Sequence, residues 1–441
     1  MKKILLSTIT IVFSVLTYAQ NLDSKVAEYL NNQDYLTLKE VYPLVKDSIT
    51  PFLQDLTECF LPCYFNKPEE ACKSIQNFFT SQQGKINSDL ATSLIYLWAE
   101  NLKAKGAYKE AVELIDNYLL NFPQEHRIKL KQYYSSIYVY CKAYQSFQAS
   151  KISHHNKDIS VPISFVQTGE RGQTMFIPVT IRNNTTNFIF DTGAGDNVVT
   201  EKFALDNQIR ILKDSILIIG VGSGYGKLGF IDSLQIGELI YQNVSFVVVP
   251  EIIPDNKYNT QAVLGMPFMR INKELIIYPN ERKIVFPYKE SIPDSLKSNM
   301  ILTNNTLLLN VESQDNMLLI QFDSGNVSST MNLSYFKSNK TKIENQYKLD
   351  TIQIGGFRGI NTIPAYTIPQ LSFSIGISKF IMKNIKVLTK KNLMEPNQSK
   401  GVYGVNFIQK FDRICINFNL MRLEVQNISN NDMSVQNMHL N

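Results

Sequence analysis

The pattern of hydrophobic and polar positions changes in kind partway along this chain of 441 residues. Over residues 21–150 apolar side chains recur at the spacing of helices, and alternating β-branched runs are scarce. A polar stretch follows at 151–158, and from about residue 160 short apolar runs are divided by polar or glycine-containing turns. The pattern predicts a multidomain protein of α and β class, with an α-helical domain at 21–150 and an all-β region after it.

Two apolar strands of the β region end on the same short motif, in which an acid is followed by a hydroxyl residue and a glycine. The first copy is Asp191, Thr192 and Gly193, and the second copy is Asp323, Ser324 and Gly325. Such an acid lies at the edge of a core, where ionisation is costly, so two facing acids would share one proton. Because a pair of carboxyls sharing one proton can activate a water molecule, the motif indicates a hydrolase.

The sequence around the two acids is duplicated as well. Aligning Gly265 with Gly404 places Ile276 on Cys415 without a gap. A three-residue motif recurs by chance, so the duplicated surroundings give this one its weight. Together they predict a two-unit internal repeat.

Residues from about 160 to 428 resemble the aspartic proteases of the pepsin and retropepsin type. The resemblance implies a two-lobed all-β acid protease fold, with one lobe at 160–290 and the other at 296–428. It also implies that Asp191 and Asp323 hold a water molecule, one acid serving as general base and the other as general acid. The chain would then be an aspartic endopeptidase that acts on a peptide or protein without a metal or other cofactor, and a monomer would suffice for catalysis.

The resemblance also assigns supporting roles around the acids. Thr192 and Ser324 would hydrogen-bond across the lobe interface, while Gly193 and Gly325 would let each loop turn tightly. A large side chain followed by a glycine would pack under each loop and hold it rigid. These loop-packing residues are Leu264 and Gly265 in the first lobe, and Tyr403 and Gly404 in the second.

A glycine-rich stretch lies between the first acid and Gly265, with five glycines in residues 220–229. In the family this is the position of the flap, a mobile hairpin over the cleft, and glycines permit the positive φ of a hairpin tip. The expected flap residues that bind substrate are Gly222, Ser223, Gly224 and Tyr225. An ordinary glycine-rich loop is the alternative. A shorter counterpart at 355–359 is expected as a surface hairpin at the edge of the cleft.

Two residues depart from the family pattern in the second lobe. Asn326 stands where the family has Ala, Ser or Thr, and Tyr403 stands where it has an aliphatic residue. They leave open an alternative, a catalytically weak or inactive peptide-binding protein that uses the cleft or the helical array. In the first lobe, Ala194 offers no hydroxyl to stabilise an ionised pair, so we expect a pH optimum less acidic than that of a gastric enzyme.

The helical domain has a partial repeat of its own. Residues 97–123 resemble a tetratricopeptide (TPR-like) helix pair, and a partial echo lies 40 residues earlier, at 66–79. Such arrays often bind proteins, so a protein partner or captured substrate is one expectation for 21–150. A helical cap packed against the protease lobes is the other.

The two ends of the chain have distinct compositions. Residues 1–19 have the basic start, apolar run and small-residue end of a secretory signal peptide, and no cysteine follows Ala19 to mark a lipoprotein. No later segment reaches membrane-spanning length. We therefore expect a bacterial-type exported protein, periplasmic or secreted. The Asn-rich residues 429–441 are expected to be a disordered tail.

The charge and cysteine content of the chain limit which ligands, disulfides and metal sites can be expected. The net charge is +5 without a basic run, which gives no support for nucleic-acid binding. Five cysteines cannot all pair within the chain, and Cys59, Cys63 and Cys72 form either one disulfide or buried thiols. No histidine accompanies them to complete a zinc site, and no metal role is expected for the pair His154 and His155.

Overall fold

The computed structural model describes residues 19–153, 155–168, 172–252, 260–314, 316–357, 359–391, 396 and 398–427. The chain divides into two compact units, Met1–Ala149 and Ser150–Asn441. The predicted signal peptide, apart from Ala19, and the predicted tail lie outside the described residues, as does His154. The structure is thus a helical region followed by β-sheets, as the multidomain α and β prediction requires.

The first unit is helical throughout its described part. Its helices are α1 (Ala19–Asn32), α2 (Tyr35–Val45), α3 (Pro51–Tyr64), α4 (Pro68–Ser81), α5 (Ser88–Ala104), α6 (Tyr108–Leu120) and α7 (Gln124–Tyr144), with a short 3-10 turn at Lys46–Ser48. Pro51 and Pro68 stand in the first turn of their helices, where the missing N–H leaves no bond unmade. Ala71 and Ala111 are fully buried, which allows close helix packing.

The cysteines of the described residues are all free thiols. Cys59 and Cys72 are buried, and Cys63 accepts a hydrogen bond from the Asn101 amide at 3.3 Å. Burial raises the pKa of the Cys63 thiol to about 12. Of the two alternatives for this cluster, the structure therefore has free thiols, buried at Cys59 and Cys72 and partly buried at Cys63, and no disulfide.

The first half of the β unit runs from residue 151 to 286. Its strands are β1 (Lys151–Ile152), β2 (Ile159–Pro162), β3 (Ser164–Gln167), β4 (Gln173–Ile181), β5 (Asn184–Phe190), β6 (Val198–Thr200), β7 (Arg210–Ile219), β8 (Ser223–Ile236), β9 (Leu239–Val249), β10 (Ala262–Leu264), β11 (Glu274–Tyr278) and β12 (Lys283–Phe286). Two short helices, α8 (Glu201–Asp206) and α9 (Met266–Arg270), follow β6 and β10.

The second half runs from residue 300 to 427. Its strands are β13 (Met300–Thr303), β14 (Thr306–Ser313), β15 (Asn316–Phe322), β16 (Thr330–Met331), β17 (Leu349–Gly356), β18 (Gly359–Ile375), β19 (Ser378–Leu388), β20 (Gly401–Tyr403), β21 (Phe411–Asn417) and β22 (Arg422–Asn427). Its helices are α10 (Leu333–Ser338), α11 (Lys340–Gln346) and α12 (Val405–Ile408).

The two halves repeat the same strand pairing around their acid-bearing strands. In the first half β5 is parallel to β10, β10 is antiparallel to β6, and β6 is parallel to β9. In the second half β15 is parallel to β20, β20 is antiparallel to β16, and β16 is parallel to β19. Each acid therefore follows a strand in the interior of its own sheet.

A third sheet takes strands from both halves, in the order β2-β12-β11-β21-β22. Within it, Ile276 of β11 pairs with Cys415 of β21. These two residues are equivalent in the internal repeat. A residue that pairs with its own counterpart lies next to a pseudo-twofold axis, so the repeat in sequence corresponds to an approximate twofold relation in space.

Candidate functional site

Both acids of the repeated motif are held at the end of a strand by a backbone hydrogen bond. The Asp191 N–H donates to the carbonyl of Leu264 at 3.0 Å, and the Asp323 N–H donates to the carbonyl of Tyr403 at 2.9 Å. The acceptors end the parallel neighbours β10 and β20. Each acid is thus fixed by the strand that precedes it and by the strand beside it.

The two carboxyl groups lie against each other at the junction of the halves, and they share a hydrogen bond. A Cβ atom on Gly193 would collide with the carboxyl of Asp323, and a Cβ atom on Gly325 would collide with that of Asp191. Only glycine therefore fits after the hydroxyl residue in either loop, because any side chain would displace the opposite acid.

Each carboxyl also accepts two N–H groups from its own loop. Asp191 Oδ1 accepts from Gly193 at 2.8 Å and from Ala194 at 3.0 Å. Asp323 Oδ1 accepts from Gly325 at 3.0 Å and from Asn326 at 3.1 Å. These bonds stabilise negative charge and fix the orientation of the carboxyl planes.

Burial raises the pKa of both acids above the ordinary value of 3.8. The pKa of Asp323 is raised well above it, because burial is reinforced by the charge of Asp191 and by the hydrogen bond between the two carboxyls. For Asp191, burial is opposed by the loop N–H groups and by the hydrogen bond from Asp323. The pair therefore retains one proton at pH values where ordinary aspartates are ionised, with Asp191 the more easily ionised member.

The hydroxyl residues of the two loops exchange hydrogen bonds across the junction. Thr192 Oγ1 donates to the carbonyl of Phe322 at 2.8 Å and accepts the Ser324 N–H at 2.9 Å. Ser324 Oγ donates to the carbonyl of Phe190 at 2.7 Å and accepts the Thr192 N–H at 2.9 Å. Both side chains are fully buried. Four hydrogen bonds at fully buried side chains thus hold the two loops together.

The loop-packing glycines lie directly beneath the acid loops. A Cβ atom on Gly265 would collide with the carbonyl oxygen of Asp196, and one on Gly404 would collide with that of Asn326. Leu264 and Tyr403, which precede them, are fully buried. The backbone of each acid loop packs directly against Gly265 or Gly404, so neither position has room for a side chain.

Sequence reasoning missed the polar side chains that hold the glycines in place. The Gly265 N–H donates to Asn197 Oδ1 at 2.9 Å, and the Gly404 N–H donates to Ser329 Oγ at 3.0 Å. Ser329 Oγ in turn donates to Asn406 Oδ1 at 2.7 Å. Asn197 and Ser329 each stand six residues after their acid, so extending the repeat a few positions would have found them.

Tyr403, which stands where an aliphatic residue was expected, has a buried hydroxyl with no hydrogen-bond partner among the described residues. Its ring stacks on Phe407 with 4.3 Å between centroids and meets Phe373 edge-on. Its hydroxyl makes no hydrogen bond to any described residue, and burial raises its pKa well above the ordinary value. The residue acts as a large hydrophobe beneath the second acid loop.

The glycine-rich stretch forms the hairpin of β7 and β8. The turn lies at 220–222 and so includes Gly222, while Ser223 and Gly224 begin β8 and pair with β7. Tyr225 pairs with Leu217 and is 66% exposed.

Residues 355–359, expected to form a hairpin, include the turn of the hairpin of β17 and β18. Its paired segment runs from Leu349 with Tyr366 to Gly356 with Gly359, which makes it comparable to the first hairpin. The two hairpin tips touch: the Gly222 N–H donates to the carbonyl of Phe357 at 2.9 Å. The expected hairpin at 355–359 is therefore present, and its paired segment extends well beyond these residues, because local turn residues mark where a hairpin reverses but not how far its strands pair.

Residues 177–271 match the family model described as "gag-polyprotein putative aspartyl protease". The matched segment runs from β4 to the residue after α9 and contains the first acid loop, the first hairpin and Gly265. It covers about a fifth of the chain. This match supports a retropepsin-like aspartic protease domain, and hence a hydrolase acting on peptide or protein.

One other comparison concerns the whole chain, and one structural feature concerns its described helices. No curated protein sequence matches it. Among the described residues, none of the helices combines the length and the apolar character needed to cross a membrane.

Proposed function

We propose that residues 160–427 form a two-lobed acid protease and that the protein is an aspartic endopeptidase. The observation that carries the proposal is the hydrogen-bonded pair of half-buried carboxyls, Asp191 and Asp323, whose pKa values are both raised. The exchange of hydrogen bonds between Thr192 and Ser324 supports it, since a catalytic pair needs fixed geometry.

In the proposed reaction a water molecule lies between the two carboxyls. Ionised Asp191 accepts a proton from the water as its oxygen attacks the scissile carbonyl carbon, and protonated Asp323 gives its proton to the carbonyl oxygen. The product of this step is a tetrahedral diol. Asp323 then takes a proton back from one diol hydroxyl, while Asp191 passes its proton to the amide nitrogen. The C–N bond breaks, an acid and an amine leave, and the pair returns to its starting state.

Both hairpins would act as flaps over this cleft. The contact between their tips, from Gly222 to Phe357, supports a cover over the cleft to which both halves of the β unit contribute. Substrate entry would require the tips to separate, and closure would exclude water from the reacting centre.

A catalytically silent, peptide-binding protein is not favoured. Asn326, which raised that alternative, contributes its backbone N–H to Asp323 just as Ala194 does to Asp191. The departure therefore removes no hydrogen bond from the pair.

The remaining assignments rest on sequence patterns alone. We propose that residues 1–19 export the protein to the periplasm or the medium, and that the helical region is TPR-like and holds a protein segment. Deleting residues 21–150 tests the second point. Undiminished turnover of short peptides with weaker cleavage of whole proteins would support substrate capture, whereas an insoluble remainder would support a helical cap.

The enzymatic proposal is tested by peptide cleavage with and without a pepstatin-type inhibitor. Asp191→Asn and Asp323→Asn keep the size of each side chain but remove its acid, so each should lower kcat by at least about 100-fold. The pH optimum should lie above 3.8, because activity requires ionised Asp191 with protonated Asp323 and both pKa values are raised. Cleavage by either variant at the parent rate would refute the mechanism.

A further inference from the structure

The two acids sit in chemically different surroundings although their loops share one backbone arrangement. Two residues before each acid stands Ile189 in the first half and Gln321 in the second. Residues two apart on a strand lie on the same face, so each of these side chains shares a face with its acid. Ile189 and Gln321 are 6% and 7% exposed, which makes them equivalent in burial as well as in position.

The Gln321 amide reaches the reacting carboxyl itself. Its Nε2 donates to Asp323 Oδ2 at 3.5 Å, a long bond to the oxygen that the loop N–H groups leave free. A glutamine side chain has two N–H donors and a carbonyl acceptor, so most of its capacity is unused here. A buried amide with unused capacity favours a ligand that can complete its hydrogen bonds.

A second carboxamide residue, Asn326, is adjacent to the second acid loop in sequence. Asn326 follows the second acid loop where Ala194 follows the first, and it is partly exposed. Its backbone N–H bonds to Asp323, but its side-chain amide has no hydrogen-bond partner within the described part of the chain. The second acid is thus flanked by two carboxamides, whereas the first is flanked by Ile189 and Ala194, which are apolar.

We propose that this difference makes the protease select its substrate asymmetrically, an inference that rests on the proposed function. The residue on one side of the scissile bond would be apolar and would pack on Ile189 and Ala194. The residue on the other side would be an uncharged hydrogen-bonding residue, such as Asn, Gln, Ser or Thr, and would bind Gln321 and Asn326. A site whose buried polar groups need a partner discriminates against a side chain that lacks one more strongly than an apolar pocket discriminates by size.

The test is a cleavage-site profile of the full-length protein on a mixture of peptides, read by mass spectrometry. The wild type should prefer uncharged polar over apolar residues on one side of the cut by about tenfold or more. Gln321→Ile gives the second half the isoleucine that the first half has at Ile189. The polar preference should then disappear, and apolar residues should be preferred on both sides of the cleaved bond. Gln346→Ile makes the same chemical change at an exposed position on α11 and should keep the wild-type profile. Asn326→Ala, at a partly exposed position, should weaken the polar preference even if Gln321→Ile does not fold.

The outcomes separate this inference from the proposed function. Apolar preference on both sides in the wild type, or the same profile in wild type and Gln321→Ile, would overturn the asymmetry while leaving the protease intact. A change in pH profile without a change in cleavage sites would also overturn it, since Gln321 would then only position Asp323. Absence of wild-type cleavage, or undiminished cleavage by Asp191→Asn, would refute the proposed function, and the asymmetry would fall with it.

Discussion

Replacing Thr192 by Val should destabilise the β unit through the loss of two buried hydrogen bonds. Valine has nearly the same shape, but it leaves the Phe322 carbonyl and the Ser324 N–H without partners at a fully buried position. Each orphaned group costs about 1–3 kcal/mol, so the free energy of unfolding should fall by about 2–6 kcal/mol. That is a large share of the 5–15 kcal/mol or so of a typical domain.

The conservative control is Thr192→Ser, which keeps the hydroxyl and removes one methyl group. Its cost should be about 1 kcal/mol, the value for a small buried deletion. Unfolding in urea should be followed by hydrogen exchange of β-unit peptides, because Trp98 and the long helices lie in the helical unit, so fluorescence and far-UV circular dichroism report mainly on that unit. Amide hydrogen exchange of peptides covering the two acid loops should show the loss of protection directly.

The hydroxyl of Ser324 should matter as much as that of Thr192. Ser324→Ala should behave like Thr192→Val, because it orphans the Phe190 carbonyl and the Thr192 N–H. Once one pair of bonds is lost the loops can separate, so the double variant should lose less than the sum of the single losses, by about 0.5–3 kcal/mol. A loss under about 0.5 kcal/mol for Thr192→Val, or no change in loop exchange, would refute the view that these bonds hold the halves together.

Three further expectations concern the hairpin tips, the shared sheet and the second acid loop. Gly220→Val should lower kcat/KM by about tenfold in a peptide assay, because a Cβ at Gly220 would lie 2.9 Å from the Phe357 Cβ and force the tips apart; unchanged kinetics would rule out a role for tip contact. Glu274→Gln should lower the free energy of unfolding at pH 7 by about 1–3 kcal/mol, since the buried carboxylate accepts hydrogen bonds that lower its pKa below 4.5 although burial raises it. That stabilisation is present above pH 4.5 and is lost as the pH falls through the lowered pKa. The difference in Tm between wild type and variant should therefore shrink towards pH 3. A difference that stays constant with pH would contradict a stabilising role for the ionised carboxylate. Tyr403→Phe should raise the stability by about 1 kcal/mol in urea, because it removes a buried hydroxyl that has no partner among the described residues, and a fall in stability would reveal a bond not seen here.

The division of the chain into helices and sheets could be predicted because it depends on local periodicity. Apolar residues at helical spacing bury one face of α5 or α6 whatever lies beyond, and short apolar runs become strands for a similar reason. The acid loops could be located because the repeat supplied a second copy, and the structure brings Asp191 and Asp323 together at the junction of the halves.

The contacts between distant segments could not be predicted in the same way. Asn305 Nδ2 donates to the carbonyl of Gly195 at 3.1 Å, across 110 residues of sequence, and no local pattern marks either residue. The contact between the Gly222 N–H and the Phe357 carbonyl is of the same kind. Such pairings depend on how two complete halves approach each other, which the spacing of residues within one half does not determine.

The repeat thus constrains some positions and leaves others free. Gly193 and Gly325 cannot vary, because the opposite carboxyl occupies the space that a side chain would need. Gln321 and Ile189 can differ, because the backbone bonds that hold the acids do not involve their side chains. An exact twofold would give the two carboxyls identical pKa values, yet the proposed chemistry requires one base and one acid at the same moment. Ile189 beside one acid and Gln321 beside the other make the two surroundings unequal, so this chain is not held to the equivalence that an exact twofold would impose.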